Sequence, residues 1–212
     1  MIEFISKNNN KNLILFVHGF CGGTSTWRNG DANSFPLLFT EDAEISGNYD
    51  VAQFSYFTQL SNLFARAGKV AIIVKRLFTT SHGKLKKNIS IEEIGNLLRT
   101  EIRFRLQTYE NIFIIAHSMG GLVTKSAILK DIEEKIPTKI KLFISLAVPH
   151  QGVEVATFGK LISDNLQIEE LSPLNQFIHK INDDWLKTSL RPATKYFYGV
   201  YDSVVFKTSD VV

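Results

Sequence analysis

Two short runs constrain this chain more than any other feature: Leu-Ile-Leu-Phe-Val at 13–17, and Asn-Ile-Phe-Ile-Ile-Ala at 111–116. Apart from Asn111 both are wholly apolar, and both give way abruptly to a turn rich in glycine and histidine. A strand with one wet face alternates polar and apolar residues. A strand covered by helices on both faces need not, so unbroken runs of this length mark buried strands of a parallel sheet.

Further β-rich stretches lie at 49–56, 140–148 and 194–200. Helical patterns separate them. Ser90-Ile91-Glu92-Glu93 reads as a capping box opening a helix, with Ile91, Ile94, Leu97, Leu98, Ile102 and Leu106 on one face. A second helix is expected from 119 to about 134. Strands alternating with helices predict the α/β class: a mostly parallel central sheet with helices on both faces. At 212 residues, 44% hydrophobic and 21% charged, the chain suits a single globular domain, 1–212, large enough for a proper core.

Two segments stand outside the alternation, at about 60–88 and 153–192. Such insertions over the carboxyl ends of strands form lids and binding walls in open α/β folds. Residues 51–91 contain no acidic side chain but carry Arg66, Lys69, Lys75, Arg76, Lys84, Lys86 and Lys87. The formal charge of +3 is too small to imply nucleic-acid binding. The basic, apolar 60–88 segment is instead expected to touch an anionic membrane peripherally, or else to be a solvated helix packed on the core. Cys21, the single cysteine, allows no internal disulfide and fits a reducing compartment. With no basic start and no long apolar run at the N-terminus, a signal peptide is not expected and a cytoplasmic location is.

The chemistry is carried by Ala116-His117-Ser118-Met119-Gly120-Gly121. A serine hydroxyl is a weak nucleophile unless held on exposed, strained backbone beside a base. Small residues at 116 and 120 let a strand turn sharply into a helix, aiming Ser118 outward with the Met119 N–H behind a developing oxyanion. The competing reading is an ordinary helix start capped by serine. After the first buried strand, Val17-His18-Gly19-Phe20-Cys21-Gly22-Gly23 is placed to close an oxyanion hole, with the Phe20 N–H as second donor. Its competitor is a plain strand-to-loop turn.

The acid of such a site follows the nucleophile at the end of a later strand. Asp202 fits that position, or is a surface turn residue; Asp164, Asp183 and Asp184 fit less well. The base then follows the acid, yet no histidine lies between Asp202 and Val212. His18 belongs to the oxyanion turn, His117 is expected to point away from its neighbour's site, His82 and His179 sit in the insertions, and His150, after the strand end at Ala147-Val148-Pro149, is either near the site or, the preferred reading, structural. The expectation is therefore that the polypeptide continues past Val212 and supplies the histidine with a last strand and helix. The alternative is an inactive relative.

These blocks resemble the lipase-like branch of the α/β-hydrolases that includes GPI-inositol deacylase and the serine-active-site-containing esterases. The resemblance rests on Val17-His18-Gly19-Phe20 with Gly22-Gly23, Thr26-Trp27, Phe54-Ser55-Tyr56, the Ser118 block, and Phe143-Ile144-Ser145-Leu146-Ala147-Val148-Pro149-His150-Gln151-Gly152. It departs at Ala116, where the usual pattern has glycine. It implies an α/β-hydrolase fold, here truncated before its last strand and helix, and hydrolysis of lipid or other carboxylic esters through an acyl-Ser118 intermediate. No metal or organic cofactor is implied. Relatives are often fused to further domains in multidomain, including immune-type, proteins, so fused domains after residue 212 are expected. The alternative from another class is a recognition module or effector domain that kept the fold and lost the base. Amide or thioester hydrolysis would use the same machinery.

Overall fold

The computed structural model of the protein describes residues 1–19, 24–29, 33–56, 90–150 and 168–198. In chain order its strands are β1 (Ile2–Ser6), β2 (Asn12–Val17), β3 (Arg28–Asn29), β4 (Asn33–Ser34), β5 (Tyr49–Phe54), β6 (Asn111–His117), β7 (Ile140–Leu146) and β8 (Ala193–Phe197). Its helices are α1 (Phe35–Glu41), α2 (Ala43–Asn48), α3 (Ile91–Phe104), α4 (Met119–Glu133) and α5 (Ile168–Lys187), with a 3-10 turn at Thr24–Trp27.

The two apolar runs lie side by side at the centre of a six-stranded sheet of order β1-β5-β2-β6-β7-β8. Leu13 pairs with Ile112 and Val17 with Ala116 in parallel register. Every pairing in this sheet is parallel except β1 with β5. β3 and β4 form a separate small hairpin.

Side chains alternate between the two faces, and each face has its own core. Leu13, Leu15, Val17, Ile112, Ile114 and Ala116 pack with Ile94 and Leu98 of α3, Leu122 and Val123 of α4, and Ile178, Ile181 and Trp185 of α5. Ile14, Phe16 and Ile115 point the other way, toward Trp27, Phe39 of α1 and Ile45 of α2. Right-handed crossovers require this division, because the step from β2 to β5 runs opposite in direction to the steps from β5 to β6, β7 and β8.

The capping box opening α3 is present in both halves, with Glu93 N–H donating to Ser90 Oγ at 3.1 Å and Ser90 N–H to Glu93 Oε2 at 2.8 Å. Leu97, expected on the buried face, is 39% exposed. Glu101 is drawn inward in that layer, where its carboxylate accepts the Ile2 N–H at 3.2 Å. β1 escaped the sequence reading because a short antiparallel edge strand carries half polar residues and little periodic signal. The stretch 153–192, read as an insertion, contains α5, whose Ile178, Ile181 and Trp185 are core residues. That helix lies between β7 and β8 in chain order, and its apolar face covers the sheet. The 60–88 segment and residues 153–167 lie outside the described residues. Among the described residues no helix is long and apolar enough to cross a membrane.

The amino end of the sheet is fastened by Asp50, which is fully buried. Its carboxylate accepts the Asn8 N–H at 2.9 Å, the Asn10 N–H at 3.2 Å and the Tyr109 hydroxyl at 2.6 Å. Burial, then this hydrogen bond, raises the Tyr109 phenol above its ordinary pKa. Asp50→Ala strands all these donors, and at about 1 kcal/mol per lost bond should cost about 3 kcal/mol. Urea unfolding checks it: the midpoint should fall at unchanged slope.

Candidate active site

β2 leaves the sheet toward α1 and α2 on one face, while its neighbour β6 leaves into α4 on the other. Adjacent strands whose exits diverge leave a crevice at their carboxyl ends, the place where open α/β sheets bind ligands. His18-Gly19 and His117-Ser118 stand at this point.

Ser118 has φ 52° and ψ −127°. A non-glycine residue there costs about 1–3 kcal/mol and persists only where its surroundings over-determine it. The determinants are visible. Ser118 N–H donates to Leu146 O at 2.9 Å, Gly121 N–H donates to Ser118 O at 2.9 Å, and the motif glycines admit backbone where no side chain would fit. A Cβ on Gly120 would stand 2.3 Å from His18 O and 2.5 Å from Val17 O, and one on Gly121 would stand 2.2 Å from Val148 Cγ2. On the facing turn, a Cβ on Gly19 would come within 2.8 Å of Ser118 Cβ. Ala116, fully buried, pairs with Val17 one residue before the end of β6.

The hydroxyl makes no cap hydrogen bond to α4, and the backbone is not in the extended region that a capping serine adopts. The reading of Ser118 as an ordinary N-cap therefore fails. Ser118 is partly exposed, while Met119, the first residue of α4, has its side chain buried.

His18 is 3% exposed and committed at both ring nitrogens. Nδ1–H donates to Gly19 O at 2.8 Å, and Nε2 accepts the Tyr56 N–H at 3.2 Å, which fixes the neutral Nδ1–H tautomer. Tyr56 stacks on the ring at 4.2 Å between centroids and donates its hydroxyl to His18 O at 2.6 Å. Burial holds His18 below the usual histidine range. It is a brace of the turn after β2. His117 meets Trp27 edge-on, with centroids 6.2 Å apart.

His150 lies in a buried polar cluster. Lys125 Nζ donates to His150 Nδ1 at 2.8 Å and to Asn182 Oδ1 at 2.8 Å, so His150 Nε2–H is the donor to Ser145 Oγ at 3.2 Å. Asn182 Nδ2 donates to Pro149 O at 3.3 Å. Burial, then the Lys125 ammonium, pushes His150 down to about 2. The structural reading of His150 agrees with these bonds. His179 is exposed on α5, Asp183 is exposed on the same helix, and Asp184 pairs with Lys180 at 2.6 Å. Phe20, Asp202, Asp164, His82, Cys21, Gly22 and Gly23 lie outside the described residues. The structure thus brings His18, Gly19, Ala116, His117, Ser118, Met119 and Gly120 together. Tyr56 and Ser145 stand in blocks of the resemblance without an assigned role, and Lys125 and Asn182 were missed; for Lys125 the available signal was a lysine among the mostly small and apolar residues of the first turns of α4.

The family model described as the PGAP1-like alpha/beta domain matches residues 9–183. The chain belongs to this family. No curated protein matches the sequence significantly. Among solved structures, a Legionella pneumophila phospholipase, solved in complex with thio-NAD, is similar with a TM-score of 0.56 at 17% identity, over 92% of this chain and 40% of that one. A mature Bacillus licheniformis lipase gives 0.52 at 18% identity over 91% of this chain and 66% of its own. A Pyrococcus furiosus esterase gives 0.51 at 16% identity over 96% and 66%. At these identities the likeness concerns the fold, which is that of the α/β-hydrolases. The chain spans just under two thirds of the lipase and esterase and well under half of the phospholipase.

Two outcomes follow for this PGAP1-like domain. Gly120→Ala drives a methyl into two backbone carbonyls that cannot rotate aside, and should destabilise by about 1–3 kcal/mol, read as a lowered denaturation midpoint. His18 and His150 are both held below the usual histidine pKa in the fold but not when unfolded, so the unfolded state binds extra protons below about pH 6.5, for His150 down to about pH 2. Stability from these groups is complete above pH 6.5 and is lost as pH falls below it, by at most about 1.4 kcal/mol per pH unit for each histidine. A urea series from pH 7.5 to 4.5 should show this slope, and His150→Gln should flatten it.

Proposed function

We propose that the protein is a serine hydrolase that cleaves carboxylic esters of lipids through an acyl-Ser118 intermediate. The observation that carries this reading is Ser118 itself: a partly exposed serine at positive φ, free of any capping role, at the crevice where strands β2 and β6 part. That is the arrangement an acyl-transfer nucleophile needs and a structural serine does not. The lipid preference is supported by family membership and by neighbours described as lipase and phospholipase.

In this reading Ser118 Oγ attacks the ester carbonyl while its proton passes to a histidine outside the described residues, oriented by Asp202. The tetrahedral oxyanion is held by the backbone N–H groups of Met119 and Phe20. The C–O bond to the alcohol breaks, the alcohol leaves with the proton from the imidazolium, and water then releases the acid by the same steps in reverse roles. His18 does not serve as the base, since both of its ring nitrogens are occupied. The 60–88 segment, basic and apolar, would meet the anionic lipid surface.

The commitments of His18 and His150 to other partners favour a second reading, in which the domain is a recognition module in a larger protein. Labelling with a fluorophosphonate decides between them. The enzyme reading expects covalent modification at Ser118, and a fall of about 10³-fold or more in model-ester hydrolysis in Ser118→Ala. A full-length protein whose Ser118 stays unmodified would leave the recognition module standing.

A further inference from the structure

Residues 146–150 touch the Ser118 region repeatedly. Leu146 O accepts the Ser118 N–H at 2.9 Å, Val148 fills the space above Gly121, and His150 receives Lys125 at 2.8 Å. Lys125 stands on α4, the helix that Ser118 opens. These contacts close a ring, from Ser118 across to Leu146, along the chain to His150, through the Lys125 ammonium, and back down α4. A second strained residue, Ala147 at φ 47°, lies on the ring, with its N–H donating to Phe197 O at 2.8 Å.

Lys125 is 2% exposed, an unusual place for an ammonium unless fixed hydrogen bonds receive it. It is received by His150 Nδ1 and Asn182 Oδ1, and it lies over the Trp185 ring at 5.6 Å. Asn182 in turn holds Pro149 O, so the same ammonium fastens the β7 exit to both α4 and α5. An apolar side chain of this length would fill the volume, but it would fix neither the direction of His150 nor the height of Pro149. What the charge adds is orientation.

We infer that Lys125 is a positioning residue: by clamping His150 and Asn182 it holds the β7 exit against the start of α4 and so fixes the strained Ser118 turn and the amides behind it. This rests on the acyl-transfer reading of Ser118 for its catalytic consequence, though not for its geometry. The reacting atoms tolerate little error, because a misplacement of about 1 Å can cost about 100-fold in rate.

The test uses the full-length protein with Lys125→Met, Lys125→Arg, and Ile128→Ala as a control that weakens the same helix from a fully buried core position. Measured well below every unfolding midpoint, Lys125→Met should slow fluorophosphonate labelling and kcat by about 10- to 100-fold at nearly unchanged KM. Lys125→Arg should recover most of the loss, and Ile128→Ala should lower the midpoint while labelling at the normal rate. Where Lys125→Met does not fold, Asn182→Leu removes one acceptor of the same ammonium and should show the same pattern in smaller measure. Labelling of Lys125→Met, or of Asn182→Leu in its place, at the wild-type rate, or equal slowing in Ile128→Ala, would overturn the inference.

If the wild-type protein does not label, the hydrolase reading falls and hydrogen exchange still tests the clamp. Exchange at the Ser118, Gly121 and Ala147 amides should then quicken at least tenfold in Lys125→Met, or in Asn182→Leu in its place, but not in Ile128→Ala. Acceleration spread evenly over α4, or none, would overturn it.

Discussion

The approach of two chain reversals at the ends of β2 and β6 governs the rest of this molecule. Gly120 brings α4 within contact of the Val17 and His18 carbonyls, and Gly19 allows the opposing turn to reach Ser118. Add a methyl at either place and the helix must back away from the sheet. With that distance fixed, the serine is forced into a conformation it would not choose, and the strain is borne by hydrogen bonds to Leu146 and within the first turn of α4.

The histidines show how the turn that carries Ser118 can be surrounded by polar groups whose hydrogen bonds are spent on holding the fold. His18 is buried and His150 half-buried, and both are neutral and engaged at each nitrogen. Their work is to satisfy backbone and side-chain groups that would otherwise be stranded inside the fold. One braces the exit of β2 and the other the exit of β7, so the two turns flanking β6 are each held by an imidazole.

Much of this could be read from the sequence because the deciding residues are adjacent in it. Ala116 to Gly121 is a local motif whose demands are met within one strand end and one helix start, and the runs at 13–17 and 111–116 announce buried strands without ambiguity. What was not legible is non-local. Lys125, Ser145, His150 and Asn182 come from separate elements and meet only when α4, β7 and α5 have packed, so no spacing rule links them. Within 153–192 the sequence shows helical fragments such as Leu174 to Trp185 but not the full extent of α5, Ile168–Lys187. β1 was missed because it is only five residues long, and its apolar residues divide between the two faces, with Ile2 and Phe4 on one core and Ile5 on the other. Phe20 and Asp202 fall outside the described residues, so their roles rest on the motif and on chain order alone.

The central pairing also sets the order in which the molecule can come into being. Asn12 and Asn111 sit side by side although they are 99 positions apart in the chain. A ribosome therefore finishes β2 long before its partner exists, and until β6 emerges one edge of a strand that is apolar from Leu13 to Val17 waits uncovered. Closing so distant a contact is slow, and exposed strand edges invite association in the meantime. The serine turn is built from that closure, so no shorter nascent fragment can carry it, and production of the domain should respond more strongly to chaperone supply than its final stability would suggest.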